Sequence, residues 1–267
     1  RAALAVMPTS VDLLSDLARA LHATGQFDAA VEASRRALEL DGNSVEAQLH
    51  LGRSLLELER LGEAVEALRL VLRAQPTNLD ALLAFSSAAF RAGMVSEVVP
   101  RLRAALALAP SAALHNNLAF AANFHPELTT AEVLAEARGW AKTYAEPLAS
   151  SLRAHVNDRS PARKLRIGYV SPDFWDHVLS LFMRPVFGAH DREQFEIVCY
   201  ASVARADSVT AEIRELVDVW HDVRGLDDAA LSERIRADQV DVLVDMTMHM
   251  ADNRLQTFAR RPAPVQI

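Results

Sequence analysis

The chain has 267 residues, a formal net charge of -7, and 51% hydrophobic but only 6% aromatic residues. That length holds about two domains, the acidic balance excludes the broad basic face that nucleic acids require, and a core poor in rings must be built from Ala, Leu and Val. One cysteine, Cys199, excludes an internal disulfide and points to a reducing, cytoplasmic compartment, and no apolar run reaches membrane-spanning length.

In chain order, the first pattern is a repeat. Leu17-Ala18, Leu51-Gly52 and Phe85-Ser86 stand 34 residues apart. So do Ala30, Ala64 and Val98, then Ala37, Val71 and Ala105, then Gly42, Pro76 and Pro110. A 34-residue period of paired helices is the tetratricopeptide pattern, in which each hairpin buries its apolar face only by stacking on the next. The units run 11–44, 45–78 and 79–112, within a repeat domain over 1–112. Ala18, Gly52 and Ser86 are predicted where the two helices of a unit come closest, with Ala30 and Ala64 meeting them from the second helix. Gly or Pro between units stops one helix and turns the chain into the next.

Residues 113–163 read as a helical extension and linker. A helix is predicted over 114–124 and broken by His125-Pro126. Thr129-Thr130 followed by Glu132 and Val133 reads as a cap and a new start. That helix carries Leu134, Ala137, Trp140, Ala141 and Tyr144 as an apolar stripe for packing, and Pro147 ends it. The polar run Asn157-Asp158-Arg159-Ser160-Pro161 reads as a linker.

The texture changes over 164–267. Strands are predicted over 165–171, 195–201 and 240–246, with a fourth starting at Pro264-Val265-Gln266-Ile267. Helices are predicted between them, near 180–190, 208–217, 228–237 and 252–260. Strands alternating with helices imply a parallel sheet, and near-continuous apolar strands imply cover on both faces. The fold class is therefore an α superhelix of repeats followed by a Rossmann-like α/β lobe. The chain begins at Arg1 rather than Met and stops as a strand starts, so both ends are expected to continue.

In open α/β sheets ligands bind beyond the carboxyl ends of the strands. The first strand leads into Pro172-Asp173-Phe174-Trp175-Asp176-His177, and the third into Thr247-Met248-His249-Met250. If both strands share one sheet, His177 and His249 sit on one edge, where an imidazole can shift protons or donate to a developing anion. The alternative for each is a loop histidine bonded to backbone. Asp173 reads as a helix cap or a ligand contact, with capping favoured. Asp245 reads as an acceptor for loop amides, and Arg260-Arg261 as an anion contact or a solvated helix end. No G-x-G-x-x-G, Walker A, H-E-x-x-H or G-x-S-x-G sequence occurs, which disfavours the usual dinucleotide, zinc-protease and hydrolase chemistries.

The run Lys164-Leu165-Arg166-Ile167-Gly168-Tyr169-Val170-Ser171-Pro172-Asp173-Phe174, with His177 three residues on, resembles the O-linked N-acetylglucosamine transferases. The resemblance continues through 195–201, Asp245-Met246-Thr247-Met248-His249, Asn253-Arg254-Leu255 and Arg261-Pro262-Ala263-Pro264-Val265-Gln266. With His125-Pro126-Glu127-Leu128 it covers nearly the whole chain and is nearest to bacterial members. It implies the first lobe of a GT-B glycosyltransferase, incomplete within these residues. The implied donor is UDP-N-acetylglucosamine, the acceptor is a Ser or Thr hydroxyl of a protein held by the repeats, and transfer is inverting without a metal or other cofactor. By motif match His177 is the active-site histidine, and His249, Asp173, Pro172, Thr247 and Met248 line the sugar pocket. The nucleotide is expected on a second, C-terminal lobe, so this segment alone is expected to be inactive and to bind UDP weakly.

The sequence departs from that family in three places. Eukaryotic members read His-Pro-Thr-Ser-His where this chain reads His177-Val178-Leu179-Ser180-Leu181. Their asparagine ladder along the inner repeat face is replaced by Asp16, His50 and Ala84, and only three clear repeats are present. Two other readings stand beside the enzyme: a repeat scaffold with a non-catalytic α/β domain, and a related transferase using another sugar nucleotide such as GDP-fucose.

Overall fold

The computed structural model describes residues 10–160 and 162–267. Residues 1–9, where the repeat domain starts in the sequence, and Pro161 of the linker lie outside them. Contacts divide the chain into two compact units, Arg1–Glu136 and Ala137–Ile267. Among the described residues no helix is long and apolar enough to cross a membrane.

The first unit is helical. Three hairpins are formed by α1 (Val11–Ala23) with α2 (Phe27–Leu40), α3 (Val45–Glu57) with α4 (Leu61–Ala74), and α5 (Leu79–Arg91) with α6 (Val95–Leu108). Helices α7 (Ala112–Ala122) and α8 (Thr130–Trp140) follow, and the division between units falls inside α8. The first helix of each hairpin starts on a polar cap at one register. Ser10, Ser44 and Asn78 accept from the amides of Leu13, Ala47 and Ala81. Each such cap stabilises its helix by about 1 kcal/mol. The second helices lack a side-chain cap and are entered through a tight turn instead. Gly25, Glu59 and Gly93 stand at the same repeat position with φ of 75°, 59° and 76°. Glycine takes that left-handed conformation freely, and Glu59 takes it against the steric preference of an L side chain.

Small residues let the helices of a hairpin close. Ala18, Leu21, Ala30 and Ala33 form one buried cluster. A larger one runs from Val31 to Ala121 and joins α2 through α7. The tightest point is Gly52, where a Cβ would lie 2.5 Å from Cγ of Leu68. Leu68 is fully buried and has no room to withdraw. Gly52→Ala should therefore lower stability by about 1–2 kcal/mol in a urea titration, even though Ala is the better helix former by about 1 kcal/mol. A gain in stability would show that α3 and α4 are not held this closely.

The second unit is a five-stranded parallel sheet in the order β3-β2-β1-β4-β5. Its elements are β1 (Leu165–Ser171), α9 (Val178–Ala189), β2 (Phe195–Ala201), α10 (Ser208–Glu215), β3 (Val219–Asp222), α11 (Asp228–Ala237), β4 (Val242–Asp245), α12 (Leu255–Ala259) and β5 (Val265–Gln266). Alternate residues feed two cores. Tyr169, Ile197, Cys199 and Ala201 pack with Met183, Phe187 and Ile213 from α9 and α10. Val170, Val198, Tyr200 and Leu243 pack with Leu231, Ile235 and Phe258 from α11 and α12. Both faces are covered, which is why β1 and β2 read as apolar runs rather than as an alternation. Helical repeats followed by a parallel α/β sheet is the fold class expected from sequence. The differences lie in the strands: β3 was not anticipated, and β4 is shorter than 240–246 at both ends. Val219–Asp222 is an edge strand of four residues, none of them buried, so it lacks the apolar signal.

The amino-terminal edge is held by one carboxylate. Asp241, 7% exposed, accepts from Nδ2 of Asn157 at 2.7 Å, from both terminal nitrogens of Arg163 at 2.7 and 2.6 Å, and from the Arg166 amide at 2.9 Å. It thus ties the linker and the start of β1 to β4. Burial pushes its carboxyl up, but Arg163, the Arg166 amide and Asn157 together hold it below the usual carboxylate range. A depressed folded pKa gives stability that is present above the unfolded value, about 3.9, and is lost as pH falls through the folded one. Asp241→Asn should cost about 2–3 kcal/mol near neutral pH. The gap to wild type should shrink below about pH 4. Urea titrations at several pH values check both; a gap independent of pH would remove the ionised carboxylate from this role.

Candidate functional site

The strand order reverses at β1, with β2 on one side and β4 on the other. Loops leaving the carboxyl ends of β1 and β4 therefore lead to helices on opposite faces of the sheet, and the place between them, where an open parallel sheet usually takes its ligand, is the candidate crevice. Val170 lies opposite Asp245, and the Met246 amide donates to the Val170 carbonyl at 3.3 Å, so the two loops start side by side.

The β1 loop is fixed by its own short-range bonds. The Asp173 amide donates to Oγ of Ser171 at 2.9 Å. Phe174 is fully buried between Phe187 and Trp220. The Asp176 amide donates to Asp207 at 2.8 Å, and Asp207 also caps α10 through Thr210. The amides of Thr210 and Asp176 hold its carboxyl below the usual range. Helix α9 then begins on His177, whose Nδ1 accepts from the Leu179 amide at 3.3 Å. Capping expected of Asp173 thus falls to His177, because the chain bends at Pro172 and again over 175–177 before α9 starts. Asp173 instead offers its carbonyl to Oγ of Ser180 at 3.0 Å. An imidazole whose Nδ1 accepts a hydrogen bond carries its proton on Nε2. The ring also lies 5.5 Å from that of Trp175. Beyond it, Val178, Leu181, Phe182 and Val186 leave one face of α9 exposed and apolar.

The β4 loop is organised by Asp245, which accepts from the amides of Thr247 and Met248, each at 3.0 Å. Burial pushes the Asp245 carboxyl up, opposed in part by those two amides. Thr247 is buried, whereas Met248 is 69% exposed and takes a left-handed backbone with φ of 51°. His249 follows, its ring 5.4 Å from that of Trp140 at 79°. Arg254 closes the rim: it donates to the carbonyls of Leu226 and Val223 and to Ser202, at 2.9, 3.3 and 3.3 Å, joining the loops after β2, β3 and β4. Arg260 bends back onto the Gln256 carbonyl of its own helix at 2.8 Å. Both histidines, with Pro172, Asp173, Thr247 and Met248, belong to loops at the carboxyl ends of two neighbouring strands. Sequence reasoning missed the bracing role of Arg254 and read Trp140 only as packing.

Among the described residues no group of three His, Cys, Asp or Glu side chains could hold a metal ion. A charged cavity of about 420 Å³ lies in the first unit, lined by Arg35, Arg60 and residues of α2. Arg35 and Arg60 are both engaged with Glu63 there.

Comparison with known proteins bears on this edge directly. Residues 15–78 match the tetratricopeptide repeat model, and residues 149–267 match that of glycosyl transferase family 41. Over these two stretches the chain is thus similar to tetratricopeptide repeats and, after them, to glycosyl transferase family 41. The family 41 match contains both loops of the crevice. Along 155 residues the chain is 37% identical to a Solanum lycopersicum protein named probable UDP-N-acetylglucosamine–peptide N-acetylglucosaminyltransferase SPINDLY, covering 57% of this chain and 16% of that protein. It is 34% identical over 107 residues to the UDP-N-acetylglucosamine–peptide N-acetylglucosaminyltransferase of Caenorhabditis elegans, covering 39% and 9%. Among solved structures, an O-GlcNAc transferase of Thermobaculum terrenum superposes with a TM-score of 0.83 at 34% identity, over 96% of this chain and 49% of that one. The resemblance carried by the β1 run and the Arg261-Pro262-Ala263-Pro264 segment is borne out. The chain spans about half of the Thermobaculum chain and about a sixth of the tomato protein.

Proposed function

We propose that this chain is part of a glycosyltransferase that moves N-acetylglucosamine from UDP-N-acetylglucosamine to Ser or Thr hydroxyls of proteins, with inversion and without a metal. The observation that carries the reading is that the family 41 match coincides with a switch-point crevice flanked by His177. The names of the relatives support the donor and the peptide acceptor. The repeats support an acceptor protein held along them. A second lobe of the same protein takes most of the nucleotide contacts in this reading. A cytoplasmic location suits the single buried thiol, Cys199.

In an inverting transfer the acceptor oxygen bonds to the anomeric carbon as the bond to the UDP oxygen breaks. Negative charge grows on the leaving phosphate, and the proton of the acceptor hydroxyl passes to that phosphate or to solvent. His177 meets this demand with Nδ1 already committed to the Leu179 amide. Its Nε2–H suits hydrogen bonding to an oxygen of the reacting groups better than it suits proton removal. His249 lines and positions the sugar, beside Pro172, Asp173, Thr247 and Met248.

His177→Ala should lower transfer by the full-length protein by about a hundredfold or more, and His249→Ala by less. His177→Asn keeps a capping oxygen for α9 but not the imidazole donor, so it should fold like wild type and remain as impaired as His177→Ala. The assay is sugar transfer to a Ser- or Thr-containing acceptor, with circular dichroism to monitor folding. Near-normal turnover by His177→Ala would remove the catalytic assignment. The 267-residue chain alone should bind UDP more weakly than about 1 mM in titration calorimetry. Micromolar binding would place the nucleotide site within these residues.

A further inference from the structure

Two side chains at the crevice are held in different ways. His177 is fixed by its own backbone, through the cap it makes for α9. His249 has no helix to cap: it follows β4 in a loop with a left-handed residue just before it. The backbone of that loop is fixed by Asp245, which accepts from the amides of Thr247 and Met248. Strain of this kind is tolerated where a side chain must be aimed.

One contact to the imidazole comes from elsewhere in the chain. Trp140 ends α8, only 5% exposed, and its ring meets that of His249 nearly at right angles, at 5.4 Å. That edge-to-face arrangement is the favoured geometry for two such rings. The helix does not simply stop after Trp140. It passes into a π turn, Ala141–Ala145, and then a 3-10 turn, Glu146–Ser151, and α12 of the β4 loop packs against both. Single π turns are rare and recur at functional sites. Packing alone does not account for an indole here. Nε1 of Trp140 is buried with no hydrogen-bond partner among the described residues. A buried unpaired N–H is a cost that phenylalanine would avoid while keeping an aromatic ring at this position.

We infer that Trp140 is a positioning residue for His249: it holds the imidazole at the carboxyl edge of β4, where the ligand of the crevice meets it. The inference rests on the transferase reading for the identity of that ligand, but the Trp140–His249 coupling can be measured without it.

The first arm is nuclear magnetic resonance of the histidine rings in the 267-residue chain, with the His249 signals assigned by their loss in His249→Gln. An indole at this distance displaces them by its ring current. Trp140→Leu should move them toward the positions of a solvent-exposed histidine, and Trp140→Phe should leave them between the two. Unchanged His249 signals in a folded Trp140→Leu would overturn the inference; if Trp140→Leu does not fold, unchanged signals in Trp140→Phe do so. The second arm is a double-mutant cycle on transfer by the full-length protein. Trp140→Leu should lower kcat about tenfold with His249 present and cause no further loss in the His249→Ala background. Losses that multiply across the cycle would make Trp140 a merely structural residue. Absence of transfer by wild type would count against the transferase reading, with the resonance arm still deciding the role of Trp140.

Discussion

The sheet of the second unit depends on an absent side chain in its central strand. A Cβ on Gly168 would lie 2.9 Å from Leu243, 3.0 Å from Val240 and 3.2 Å from Tyr200. Those three residues come from β4, from the turn before it and from β2, so β1 is gripped from both sides at one point. Glycine within a strand often marks such a close approach. It costs backbone entropy, offset here by the packing of two fully buried side chains, Tyr200 and Leu243, over the gap. The reversal of strand order sits on this strand. Every loop of the crevice inherits its position from how closely β2 and β4 flank it.

Much of this was legible in the sequence, for reasons that differ by element. The repeats announce themselves because hairpin packing restricts the same positions every 34 residues. Even Glu59 belongs to that register, between Gly25 and Gly93. Strands β1 and β2 are legible because both of their faces are buried. Strand β3 is not, because an edge strand whose four residues include His221 and Asp222 carries no apolar run. His177 was legible by its place after a strand and illegible as a cap. Asp173 is the commoner capping type, and the bends at Pro172 and over 175–177 place the helix start past it. Trp140 lay in a helical stripe that predicts packing, while its ring partner belongs to a distant loop. Sequence spacing carries no trace of such a pairing.

The repeats differ from the asparagine-lined pattern in a physically specific way. At the three ladder positions, Asp16 pairs with Arg19, His50 is buried beside Glu46, and Ala84 is apolar. Burial first, and then Arg53, keep His50 below the ordinary histidine range against the opposing pull of Glu46. Nearby, His22 bonds Ser54 at 3.1 Å, and Arg53 approaches Asp80 at 4.0 Å. Amide side chains can both donate and accept along an extended peptide. Asp16, already paired with Arg19, offers less of either, Ala84 offers neither, and Nε2 of His50 is buried without a hydrogen-bond partner among the described residues.

Asp241 and the crevice stand at opposite ends of the same strand. The four hydrogen bonds that the Asp241 carboxylate accepts, from Asn157, Arg163 and the Arg166 amide, all lie at the amino edge. Pro172, Asp173, Thr247 and Met248 occupy the other edge and share none of those bonds. Substitutions in the two kinds of residue should therefore be nearly independent in their effects. In evolutionary terms, the separation is a form of modularity. The rim can drift toward a new ligand under a stability constraint that is already met elsewhere, and a lineage can change what this edge contacts without first having to rebuild its sheet.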